Sequence, residues 1–218
     1  MAGEAVSFGA TQEFKPREEE KKIFGVTVAT VINNIDCTGG ARVQLSLPWL
    51  PGFQPWARLS NQMAGMGRGS YFVPQIGDEV LVSFNHGDVR EPYVLGTLWN
   101  TLDVPPALMP TDAVTKRKIR TPLGHELEFD EATQTVTLLS NTRSTLTLRP
   151  DKVELSTPLA TVTVGKAGDV TITASTKITL DAPLIEIKAG VMLTLEGKAA
   201  QLKATTACEI TGKPVKIN

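Results

Sequence analysis

The stretch VTITASTKITLDAPLIEIKAG, residues 170–190, writes one apolar-polar-apolar word three times: Val170-Thr171-Ile172, Ile178-Thr179-Leu180 and Ile185-Glu186-Ile187. Leu193-Thr194-Leu195, Ala200-Gln201-Leu202, Cys208-Glu209-Ile210 and Val215-Lys216-Ile217 carry the series to the end of the sequence. The middle residues fall at 171, 179, 186, 194, 201, 209 and 216, so spacings of 8 and 7 alternate in a 15-residue double repeat. Looser copies come earlier, at 136–138, 146–148, 153–155 and 162–164. In a strand successive side chains point to opposite faces, so the outer residues of each word share one side and the middle residue takes the other. Val170, Ile172, Ile178, Leu180, Ile185, Ile187, Leu193, Leu195, Leu202, Cys208, Ile210, Val215 and Ile217 are the predicted inward-facing core. Thr171, Thr179, Glu186, Thr194, Gln201, Glu209 and Lys216 are predicted to face water.

Repetition at a fixed period implies a stack of units, each burying its apolar face against neighbours. Three-residue strands are short for a single-chain solenoid, and the Gly- and Asp-rich turns of the calcium-binding class are missing. Three chains provide a better solution, with each word forming one side of a triangular prism and its short connector turning the corner. Every interior strand then pairs above and below with another chain, so no edge is left open. The eleven words, stacked at ~4.8 Å, predict a rod of roughly 50 Å.

Upstream the chain changes character. Beyond Phe129 some ninety residues pass without an aromatic, whereas every Trp and Tyr lies before residue 100. Residues 25–100 read as about five short strands separated by turns, among them GVTVATVI, ARVQLSL, EVLVSF and YVLGTLW, with no room for helical crossovers. That pattern predicts a small closed or nearly closed barrel, and the whole chain is expected to be all-β. Residues 101–121 are rich in proline and charge and read as a linker, with a basic cluster of Lys116, Arg117, Lys118 and Arg120 taken as a solvated face. The three-chain prism is expected over 122–218, and residues 1–24 are expected to form an N-terminal arm.

Charge and composition exclude several classes. With 41% hydrophobic and 21% charged residues, the 218-residue chain has the composition of an ordered soluble protein. A net charge of −1 offers no general attraction to nucleic acid or an anionic membrane. The polar N-terminus has no apolar signal stretch, so synthesis in the cytoplasm without a signal peptide is expected. Cys37 and Cys208 have no framework or metal spacing and read as small buried thiols. AGMGRG (64–69) fits neither phosphate-loop spacing and is followed by no helical pattern. His86 and His125 read as turn residues, and neither Asp78-Glu79 nor Asp130-Glu131 suits paired-carboxylate chemistry, because adjacent strand positions face opposite ways. No catalytic, cofactor or metal site is predicted.

The run PWARLSNQMAGMGRGSYFVPQIGDEVLVSFNHGDVREPYVLGTLWN (55–100), the stretch KIRTPLGHELEFDEATQTVTL (118–138) and the ending GKPVKIN resemble the central spike proteins of contractile injection machines. These are the gpV-type baseplate spikes of contractile-tailed phages and the spike half of VgrG proteins. The resemblance implies an OB-fold domain followed by a trimeric, triple-stranded β-helical needle that punctures a target cell envelope mechanically. It further implies a homotrimer attached to a separate hub protein at the OB end, linked indirectly to the tail tube. A PAAR-like tip protein would cap Pro214, Val215, Lys216, Ile217 and Asn218. The DCTGGARVQLSLPWLP stretch (36–51) departs from the family's commoner turn, which bears on local loop shape. Two other readings share some features: an OB-fold nucleic-acid binder with a trimerising tail, and an envelope-degrading enzyme. Salt-dependent binding to single strands and turnover of peptidoglycan discriminate them.

Overall fold

A computed structural model describes residues 22–107 and 109–216. Alternating side chains build the first unit. In β1 (Thr27–Asn33) Ala29 and Val31 point inward, and in β2 (Val43–Ser46) Val43 and Leu45 do the same. β3 (Trp56–Leu59) contributes Ala57. The hairpin of β4 (Ala64–Gly65) and β5 (Arg68–Gly69) stands apart as its own two-stranded sheet. β6 (Glu79–Phe84) buries Val80, Val82 and Phe84, and β7 (Pro92–Thr97) buries Val94. With Leu47 these side chains form one continuous core.

The barrel closes in the order β1-β2-β3-β7-β6. Its pairs are antiparallel except β3 with β7, which run parallel with Arg58 opposite Tyr93 and Leu59 opposite Val94. Register shifts between Val31 and Asn33 and between Leu81 and Val82 bend the strands, as closing so small a sheet requires. Five strands closing through one parallel pair agree with the OB-like barrel anticipated from residues 25–100. AGMGRG is the β4–β5 hairpin, where Gly69 at φ 146° brings its Cα face against the Met63 carbonyl and leaves no space for a Cβ.

The departing loop at 36–42 is stapled by its own side chains. Asp36 accepts hydrogen bonds from Thr38 N (3.0 Å) and Thr38 Oγ1 (2.7 Å), and forms a two-pronged pair with Arg42 Nε (3.0 Å) and Nη2 (3.1 Å). The Arg42 guanidinium, followed by the Thr38 hydroxyl, holds the Asp36 carboxyl far below the usual carboxylate range. A depressed folded-state value adds stability above the unfolded pKa, and that stability is lost as pH falls toward the folded one. Asp36→Asn should therefore lower the thermal midpoint of the barrel by a constant amount at neutral pH. The gap to the parent should narrow only below about pH 4; a gap independent of pH down to acid unfolding would refute the clasp.

After the short helix α1 (Asp112–Thr115) come seven consecutive antiparallel strands: β8 (Lys116–Arg120), β9 (Glu126–Asp130), β10 (Thr135–Leu139), β11 (Thr145–Leu148), β12 (Lys152–Ser156), β13 (Ala160–Gly165) and β14 (Val170–Ala174). Two expectations are corrected here. Residues 116–120, read as linker, form the first strand of this sheet. The words at 136–164 and at 170–172, read as rungs shared between chains, pair with one another within the chain as hairpins. Turn geometry is the reason: Gln134 and Arg143 adopt positive φ (54° and 64°) and Gly168 φ 89°, so the chain folds back on itself. From Ser175 to Lys216 no residue lies in a strand and all are exposed. Among the described residues the backbone pairing within the chain ends at Ser175 N–H to Leu159 O (2.9 Å).

Candidate assembly interface

Register aligns the side chains of the seven-stranded sheet into rows. One row runs Ile119, Leu127, Leu138, Leu146, Leu155, Val162, Ile172, each opposite the next across a strand pair. The row beside it runs Arg117, Phe129, Val136, Leu148, Val153, Val164, Val170. At ~4.8 Å per strand these rows cross about 29 Å of sheet. Among the described residues these rows are partly exposed: Leu138 is 54% exposed and Ile172 55%, while Leu127, Val136, Leu146 and Val162 are half-buried. A contiguous apolar face of this kind is rare on a protein that works as a monomer.

The opposite face is polar and internally satisfied. Its central row is Lys118, Glu128, Thr137, Thr147, Glu154, Thr163, Thr171. Lys118 Nζ bridges Glu126 (2.9 Å) and Glu128 (2.5 Å), and Lys116 Nζ lies near Asp112 and Glu128 (both 3.9 Å) and Asp130 (4.0 Å). Burial alone would push the Lys118 ammonium down, but hydrogen bonds to Glu128 and Glu126 outweigh it and hold it above its ordinary value. Backbone N–H groups of Thr133 and Ala132 hold the Asp130 carboxyl low, and Lys152 at 2.6 Å does the same for Glu154. The basic cluster is therefore no solvated face: Lys116, Lys118 and Arg120 pair with carboxylates on β9 and α1. Arg117 points to the other face and donates to the Lys116 carbonyl (2.7 Å).

Of the predicted core residues, Val170 and Ile172 lie at one end of the apolar rows. Ile178, Leu180, Ile185, Ile187, Leu193, Leu195, Leu202, Cys208, Ile210 and Val215 follow in the unpaired segment, all exposed, with Leu195 at 81%. Ile217 and Asn218 lie outside the described residues. Sequence reading missed Ile119, Leu127 and Phe129, although the alternation in KIR and ELEFD carries the same signal. Cys37 and Cys208, expected to be buried, are exposed: one sits in the Asp36 turn and the other in the unpaired segment.

The remaining polar candidates have local structural roles. Asp78 accepts from Gln75 N (2.7 Å), Glu79 accepts from Asn100 Nδ2 (3.0 Å), and His125 Nδ1 accepts from Asn141 N (3.4 Å). His86 sits at φ 49° in the turn after β6. Among the described residues no cluster of His, Cys, Asp and Glu gathers that could hold a metal ion, and no helix is long and apolar enough to cross a membrane.

A closed OB-like barrel followed by a two-faced antiparallel sheet makes the described residues an all-β protein. Residues 27–99 match the type VI secretion system/phage-baseplate injector OB domain family, and the resemblance to gpV- and VgrG-type baseplate spikes holds. The type VI secretion system spike protein VgrG3 of Vibrio cholerae is 30% identical over 125 residues, covering 50% of this chain and 12% of that protein. VgrG2a, a spike protein of Pseudomonas aeruginosa, is 27% identical over 150 residues, covering 59% of this chain and 18% of its own. The actin cross-linking toxin VgrG1 of V. cholerae is 30% identical over 124 residues, 52% of this chain and 11% of the toxin. The chain thus spans less than a fifth of each of these relatives. These similarities support a baseplate spike role.

Proposed function

We propose that the protein is the homotrimeric central spike of a phage tail or phage-tail-like contractile injection machine, which pierces a target cell envelope mechanically. The observation that carries this reading is the pair of partly exposed apolar rows across β8–β14. Three such sheets set as the sides of a triangular prism bring those rows onto one axis and turn the ion-paired faces outward. Closed threefold symmetry lets a single face satisfy all three copies. Beyond Ser175 the words of one chain pair with those of the other two, supplying the backbone hydrogen bonds that a lone chain lacks. Ile178, Leu180, Ile185, Ile187, Leu193, Leu195, Leu202, Cys208, Ile210, Val215 and Ile217 then fill the axis below Val170 and Ile172.

In this arrangement the barrels attach to a baseplate hub protein, with residues 1–24 contributing to that contact. Pro214, Val215, Lys216, Ile217 and Asn218 present a blunt end to a PAAR-like tip protein. Dense hydrogen bonding across three chains gives the stiffness that transmits the push of contraction, and no bond chemistry is needed from the chain itself.

Light scattering on the full chain and on a chain ending at residue 111 tests the reading. A mass of three times 23.4 kDa that collapses to one copy without the sheet and tail is the expected result. A folded, monodisperse monomer of the full chain would sink it.

A further inference from the structure

Two guanidinium groups, one on the barrel and one on the β4–β5 hairpin, line one cavity whose described walls hold no carboxylate to neutralise them. Arg58 on β3 and Arg68 on β5 border a space of about 510 Å³ between the barrel wall and the β4–β5 hairpin, with Leu59, Met63 and Tyr71 among its other walls and no Asp or Glu among the described lining residues. Arg42, by contrast, is claimed by Asp36. The cavity is built from the barrel and its hairpin, and it does not depend on the three-chain needle.

Arg58 lies with its Cζ 5.7 Å from the centre of the Tyr93 ring. A guanidinium laid on a ring has its edge N–H groups free, in a planar fork that matches a carboxylate. Nucleic acid is a poorer match. Two cations neutralise about two phosphates, and the faces of Trp56 and Tyr93 on which bases would stack already carry Arg42 and Arg58. Exposed Met63 and Tyr71 add apolar surface suited to a peptide side chain.

We propose that this cavity receives an extended acidic segment of a partner protein, one carboxylate on each of Arg58 and Arg68 and an apolar neighbour against Met63 and Tyr71. The site would dock a second component onto the barrel.

Fluorescence anisotropy of a labelled Glu-Glu-Leu-Glu-Glu peptide with the full-length protein tests this. The expected result is binding that weakens as salt rises, with Arg58→Gln and Arg68→Gln each weakening it about tenfold. Arg149→Gln, in the β11–β12 turn, should leave it unchanged. Arg58→Lys and Arg68→Lys keep the charge but not the fork and should fall between, which also guards against a glutamine variant that fails to fold. No binding by the parent, or equal loss in Arg149→Gln, overturns the proposal. Tighter binding of an oligothymidine of equal length would make the site a nucleic-acid groove instead. Loss of the parent's solution mass in the arginine variants would make it a contact between copies.

Discussion

Leu146→Asp is expected to abolish the proposed trimer, leaving monomers and aggregates where the parent is expected to give one discrete oligomer in light scattering. Leu146 sits in β11, the central strand of the seven, between Leu138 and Leu155 in the row that starts at Ile119. In a threefold assembly the substitution brings three carboxylates to one axis away from water, at an effective cost of several kcal/mol per ion before the lost leucine packing is counted. Burial favours the neutral acid, so the carboxyl pKa in any assembled form is raised. Assembly should therefore recover partly as pH falls toward about 4, where the group protonates. Thr171→Asp places the same charge on the polar face and should keep the parent's mass. An unchanged mass for Leu146→Asp at neutral pH would show that the apolar rows are not an interface.

Leu45→Ala should weaken the barrel by about 2–5 kcal/mol, the range for truncating a fully buried leucine. Leu45 is 0% exposed, in a core of ten buried apolar side chains among the described residues. So small a core has few neighbours able to close around the void. Urea unfolding followed by tryptophan emission reports this unit, because every tryptophan lies before residue 100. Leu102→Ala, at an exposed site, should shift the same transition by less than about 0.5 kcal/mol. Equal shifts for the two variants would contradict the packing described for the barrel.

Much of this architecture is legible in the residues alone. EVLVSF and ARVQLSL each alternate so regularly that their inward faces can be read off directly, and Val80, Val82, Phe84, Val43 and Leu45 are buried accordingly. The motif run at 55–100 carries the family likeness. The basic cluster misleads, because Lys116, Lys118 and Arg120 read as solvated until Glu126, Glu128 and Asp130 are known to lie across from them. Those partners sit six to fourteen positions away, and only strand register brings the charges together. The cavity of Arg58 and Arg68 is illegible for a similar reason, since the hairpin that carries Arg68 folds over a strand it does not pair with.

The sequence by itself determined that the second half of the chain has two unlike faces, because side-chain direction in a strand alternates with a period of two whatever the strand pairs with. It also determined that the aromatic residues belong to the barrel half, since every Trp and Tyr lies before residue 100. Tertiary structure alone decided which strands are neighbours. The words at 136–172 look like those that come after them, yet the former meet their own chain and the latter do not. A three-residue word is local, whereas pairing depends on whether the connector can hold a reversed backbone and on what lies across from it. The parallel closure of β3 on β7 is decided in the same way, by contacts between residues more than thirty positions apart.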